Sequence, residues 1–157
     1  MQLNGKRFYI FAMGCRSNQY EGEALASALR AKGAILSIEN PDIIIVVTCT
    51  ITSQADMKTR KLFRKLRKKN NEAYIVATGC YAQGACGSDL SALGVDLLVG
   101  NRLKNRIVDL IEEHYGSDRC FNEVRAQLAD NQDWDRLQLD TPGSHARAFI
   151  KIQDGCN

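Results

Sequence analysis

The pattern of apolar positions is organised around residues 42–52, DIIIVVTCTIT, where five consecutive residues from Ile43 to Val47 are Ile or Val. A continuous branched run of this length is what a strand buried on both faces of a parallel sheet presents. Two more short apolar runs share the pattern, residues 7–13 (RFYIFAM) and 73–78 (AYIVAT). Between the first two runs the period changes to that of a helix. Asn18 or Ser17 offers a cap, Glu21 and Glu23 sit near the positive helix start, and Tyr20, Ala24, Leu25, Ala28 and Leu29 form a stripe that Gly33 stops. A short strand fits Ala34 to Ile38, and Asn40-Pro41-Asp42 turns the chain into the central run. Ser53 opens a second helix that reaches Lys69, striped by Ala55, Thr59, Leu62, Phe63 and Leu66. A glycine-containing stretch at 82–88, a short helix near Asp89 to Leu93 and a strand from Val95 to Val99 follow. Leu103, Ile107, Leu110 and Ile111 stripe the last helix.

Strands and helices alternating in this way predict a three-layer α/β fold, a flavodoxin-like parallel sheet with strand order 2-1-3-4-5. The regular pattern covers residues 1–116. Residues 117–145 are polar and acidic and read as a connector with at most a short element. Residues 146–157 begin with ARAFIKI, which alternates again like a strand opening a second unit.

With 157 residues, 45% hydrophobic and 25% charged, the composition is that of one globular domain with an appendage. Six cysteines in a chain of this size read as thiols kept reduced in a cytosol rather than as a disulfide framework. The apolar run near the amino terminus is shorter than a signal core, and no run approaches the roughly 18 residues of a membrane span, so a cytoplasmic protein is expected. Charge is unevenly spread. The segment 58–69, KTRKLFRKLRKK, holds eight Lys or Arg and no acid, leaving 13 basic against 18 acidic residues elsewhere. Affinity for a polyanion would therefore be local, with Lys61, Arg64, Lys65 and Lys68 as candidate contacts to RNA phosphates.

Candidate chemistry lies in the cysteines. Cys15, Cys49 and Cys80 each stand just past an apolar run, at spacings of 34 and 31 residues. In a parallel sheet all carboxyl ends lie along one edge, so three thiols gather on one rim. Read from spacing, they could hold an iron–sulfur cluster, bind zinc, exchange disulfides or simply pack. Neither His114 nor His145 has zinc-site spacing, and no Cys-x-x-Cys pair is present. Neither GxGxxG nor GxxxxGK[ST] occurs, which argues against a nucleotide module.

The segments GCRSNQYEGE (14–23), TCTIT (48–52), ATGCYAQ (77–83), GVDLLVGN (94–101) and RAFIKIQDGCN (147–157) resemble, in order and spacing, the amino-terminal part of the radical S-adenosylmethionine methylthiotransferases. The resemblance implies that Cys15, Cys49 and Cys80 hold an auxiliary 4Fe-4S cluster, with one iron left open for the sulfur or methylsulfide to be transferred. It also implies a second 4Fe-4S cluster with S-adenosylmethionine in a further domain, and Cys156 matches the first of that cluster's three ligands. The other two are absent from this sequence, so a fragment without methylthiolation activity of its own is expected. The stretches NQYE and ATGCYAQ are most similar to the branch that modifies N6-threonylcarbamoyladenosine beside the tRNA anticodon. Isopentenyladenosine tRNA or a ribosomal protein is the alternative substrate, and a noncatalytic flavodoxin-like binding module is the alternative class. Cys86 and Cys120 match no ligand position and are expected to be free thiols.

Overall fold

In the computed structural model the described residues are 3–49, 53–116 and 120–125. Six strands form one sheet: β1 (Arg7–Ala12), β2 (Ile35–Leu36), β3 (Ile43–Thr48), β4 (Tyr74–Gly79), β5 (Leu97–Val99) and β6 (Asn122–Val124). Their order is β2-β1-β3-β4-β5-β6, and every pairing is parallel. This is the expected flavodoxin-like order with one strand added at the far edge. Ile10, Ile45, Val76 and Leu97 stand in line across the four middle strands.

The Ile and Val run of β3 is buried along its whole length because helices cover both sheet faces. Ile43, Ile45 and Val47 point to one side, where Leu25 and Leu29 of α1 (Arg16–Ala31) and Ile107, Leu110 and Ile111 of α5 (Ile107–His114) meet them. Ile44 and Val46 point to the other, onto Phe63 and Leu66 of α2 (Ser53–Lys69) with Ile75 and Leu98 beside them. That side is completed by α3 (Cys80–Gly84) and α4 (Gly87–Ala92), through Tyr81, Ala82 and Leu90. Full burial of each such aliphatic side chain contributes about 1.5–3 kcal/mol. No helix among the described residues is long and apolar enough to cross a membrane.

Several local expectations shift. Helix α1 starts at Arg16 with Cys15 as its N-cap, so neither Asn18 nor Ser17 caps it, and its first turn holds no acid. Asn18 and Glu21 are instead buried. The glycine-containing stretch after β4 contains the short helix α3, and a 3-10 turn (Asn101–Arg106) precedes α5. Strand β6 falls within the stretch read as a connector and lies beside β5 through Leu98 and Glu123. Residues 146–157, with Cys156, lie outside the described residues.

Candidate functional site

The carboxyl ends of β1, β3 and β4 are neighbours, and a cysteine follows each. Register pairs Ala12 with Val47 and Thr48 with Gly79, so continuing it places Cys49 between Gly14 and Cys80. Adjacent strands are about 4.8 Å apart. Cys15 is the N-cap of α1, Cys80 is the first residue of α3, and Cys49 follows the last residue of the central strand. Cys49 is buried while Cys15 and Cys80 are exposed on either side of it.

Two glycines make this rim sterically possible. Gly14 has φ +84°, and a Cβ there would stand 2.6 Å from Cys49 Cβ and 2.8 Å from its sulfur. Gly79, at φ +98°, would place a Cβ 2.7 Å from Thr48 N and against the Thr48 carbonyl oxygen. Both positions require a residue without a side chain.

Buried polar side chains then lock the strand ends to one another. Asn18 Nδ2 donates to the carbonyls of Met13 (2.6 Å) and Thr48 (3.2 Å), which ties the exit of β1 to that of β3. Thr48 Oγ1 donates to Thr78 O at 2.6 Å and accepts from Ala82 N at 3.1 Å, which ties β3 to β4 and to α3. Gln83 Oε1 accepts from Asn101 N at 2.8 Å, joining α3 to the 3-10 turn. Arg125, just past β6, donates to Gln83 O and Ala85 O at 2.9 and 2.6 Å. Asn18, Thr48 and Gln83 all fall in the segments that carry the resemblance, and each acts here as a positioning residue.

A buried ion pair lies under the same edge. Lys104, on the 3-10 turn, places Nζ 2.5 Å from Glu21 Oε2 of α1, and the two side chains are 4% and 3% exposed. Burial pushes the Cys80 thiol up, the Lys104 ammonium pulls it back down, and negative charge on Cys49, Glu21 and Cys15 pushes it up again. Cys86 differs: its sulfur is 3.0 Å from Ser88 Oγ, and that hydrogen bond lowers its thiol from the ordinary value. Cys120 is exposed and, among the described residues, a free thiol.

Among the described residues no three His, Cys, Asp or Glu side chains are gathered closely enough to hold a metal ion. Cys15, Cys49 and Cys80 share an edge without forming a closed ligand set. They nevertheless fit a thiolate-held group: the donors are soft, the strand ends are adjacent, and the two outer thiols are exposed to solvent. Metal binding supplies the free energy that draws such ligands together.

The basic segment forms α2, and it sorts into two sets. Arg60 donates to Tyr81 Oη at 3.0 Å and lies 3.5 Å from Asp89. Arg67 is consumed by the carbonyls of Asn71, Ala73 and Gly94 and by Asp96. Lys61, Arg64, Lys65 and Lys68 lie on the same helix at helical spacing, and all four are exposed. Those four form a positive surface, while the two arginines are structural.

A family model described as "Uncharacterized protein family UPF0004" matches residues 7–100, from the start of β1 to just past β5. The chain is 29% identical over 147 residues to the threonylcarbamoyladenosine tRNA methylthiotransferase MtaB of Bacillus subtilis, a match that covers 92% of this chain and 32% of that protein. It is 28% identical over 173 residues to the ribosomal protein uS12 methylthiotransferase RimO of a Roseiflexus species, covering 96% and 36%. It is 29% identical over 158 residues to the tRNA-2-methylthio-N(6)-dimethylallyladenosine synthase of Cereibacter sphaeroides, covering 97% and 36%. The chain spans about a third of the length of these relatives.

Proposed function

The chain belongs to the UPF0004 family, and on that premise we propose that it is the sulfur-site domain of a methylthiotransferase, with Cys15, Cys49 and Cys80 as the ligands of a 4Fe-4S cluster. The observation that carries this reading is the placement of three cysteines at the carboxyl ends of three adjacent parallel strands. When bound, the cluster supplies an iron position without a protein ligand, where the sulfur or methylsulfide to be transferred is held. The chain's own residues do the rest. Asn18 and Thr48 hold the strand ends in register, Gly14 leaves room for Cys49, and α3 presents Cys80 at the surface.

The substrate assigned to the intact protein is N6-threonylcarbamoyladenosine next to the tRNA anticodon, in line with the relatives named MtaB. Anaerobic reconstitution with iron and sulfide tests the reading directly. Four irons per chain and a broad visible absorption that disappears on replacing any one rim cysteine are expected. A wild-type chain that stays colourless and iron-free would remove the cluster domain and leave a binding module.

The positive surface of α2 is assigned to tRNA phosphates in the intact protein. Each neutralised phosphate adds salt-dependent affinity without sequence preference. Replacing Lys61, Arg64, Lys65 and Lys68 together with Gln should weaken tRNA binding and make its salt dependence shallower by about three in the logarithmic slope. Electrophoretic titrations at several salt concentrations measure this, and an unchanged slope would return the helix to an ordinary solvated face.

A further inference from the structure

Among the described residues, the exposed large apolar side chains Ile35, Leu36 and Ile38 lie together in and just after β2, at the outer edge of the sheet. Met57 lies apart from them, 57% exposed, on the basic helix α2. One exposed apolar residue is ordinary on a surface. Its place on the helix is not. Met57, Lys61, Arg64 and Lys68 follow at intervals of four, three and four residues, so at about 100° per residue they share an arc of about 60° and extend about 16 Å along α2. Phe63 and Leu66 hold the opposite side in the core.

The stripe has a direction. Helix α2 starts shortly after the carboxyl end of β3 and runs back along the sheet, so Met57 stands at the rim end and Lys68 at the far end. Two contacts fix the rim end: Thr59 Oγ1 lies 3.7 Å from Met13 Sδ, and Arg60 Nε donates to Tyr81 Oη at 3.0 Å. Met13 stands two residues before Cys15, and Tyr81 follows Cys80 directly. The turn that carries Met57 is thereby packed beside the strand ends that carry the outer thiols, and Met57 is the side chain it leaves to solvent.

We propose that Met57 is a base-contacting residue: the cations of the stripe take the phosphates of an RNA strand, and Met57 packs against the face of an unpaired base at the end nearest the cysteines. This rests on the RNA reading of α2 above and adds to it a direction and an apolar contact. Eight Lys or Arg without an acid in residues 58–69 call for a polyanion, and an apolar side chain in line with them calls for one that also offers apolar faces. A flexible, polarisable thioether adapts to flat rings of differing outline. Bases splayed out of a strand offer such faces, whereas bases within a duplex cover one another, so the contact selects an RNA with an unpaired nucleotide beside the rim.

The test titrates the intact protein with two RNAs at several salt concentrations: a hairpin with an unpaired loop, and a blunt duplex of the same stem sequence. Met57→Ala and Met57→Gln should weaken hairpin binding at least about fivefold and leave duplex binding within about twofold, with both salt slopes unchanged because no charge is removed. Met57→Leu, which keeps an apolar side chain, should stay within about twofold of wild type on the hairpin. Because Met57 is more than half exposed, these variants keep the fold. Wild-type affinity for the hairpin in Met57→Ala and Met57→Gln, or an equal loss on hairpin and duplex, overturns the proposal. The joint replacement of Lys61, Arg64, Lys65 and Lys68 separates the two readings: if it leaves the salt slope unchanged, the RNA reading of α2 falls, and this inference falls with it.

Discussion

Alanine at Cys15, Cys49 or Cys80 in the intact protein is expected to abolish methylthio-adenosine in tRNA while leaving S-adenosylmethionine cleavage largely in place. The two activities separate because adenosine C2 is an unactivated carbon: a radical is needed to open it and a sulfur donor to fill it. In the proposed reading the rim supplies the second of these. Two remaining thiolates cannot hold the group that three hold, and the central position is the most sensitive. Cys49 is buried between its neighbours and packed against Gly14, so no other cysteine side chain can substitute from the same strand. Cys86→Ala and Cys120→Ala should be nearly silent. Nucleoside mass spectrometry in a strain without a redundant enzyme measures the product, and normal levels in Cys49→Ala would sink the assignment.

Thiol labelling would not serve in place of that measurement. Reactivity follows thiolate population and access; Cys86 and Cys80 are both exposed, and thiolate population favours Cys86. Hydrogen bonding from Ser88 lowers the exposed Cys86 thiol, whereas burial raises that of Cys80. An alkylating reagent at neutral pH should mark Cys86 ahead of Cys80, although Cys86 has no part in the proposed ligand set.

The central strands are legible in the sequence because burial on both faces removes the need for alternation. An uninterrupted Ile and Val run then has few other structural meanings. The same feature locates the thiols, since a cysteine immediately past such a run must lie at the carboxyl edge. Less is legible where a residue type serves two purposes. Asn18 looks like a helix cap, but Cys15 takes the N-cap position and the Asn18 amide is turned inward to two strand-end carbonyls. Glu21 looks like an acid near a helix start, yet its partner Lys104 lies far along the chain, in a stretch where the flanking Arg102 and Arg106 suggest only a polar surface. Strand β6 is three residues long and half-exposed at the edge, too short for a periodicity to register. Glycines near Cys80 suggest a bend, and Gly79 does make one, but α3 begins directly after it. Most of these misses share a cause. Each depends on a partner distant in sequence, which neither composition nor period reports.

Gly79→Ala should be the most damaging glycine-to-alanine change among the described residues, and Gly84→Ala, five residues later, among the mildest. At Gly79 the backbone has φ +98°, a region that costs a non-glycine residue about 1–3 kcal/mol by itself. The added methyl would also meet the backbone of Thr48, not a flexible side-chain end, so relief requires β3 and β4 to separate at their carboxyl ends. That separation would strain the Thr48 hydrogen bonds to Thr78 and Ala82, and with them the position of Cys80. A loss of more than about 2 kcal/mol in urea unfolding is expected, together with loss of iron loading in the fraction that remains folded. A Cβ added at Gly84 would meet nothing within 4 Å, and the residue lies at the end of α3. Alanine there should change stability by less than about 1 kcal/mol, in either direction. If both variants unfold at the wild-type urea concentration and load iron equally, the close approach of β4 to Thr48 is wrong, and the rim that it builds is wrong with it.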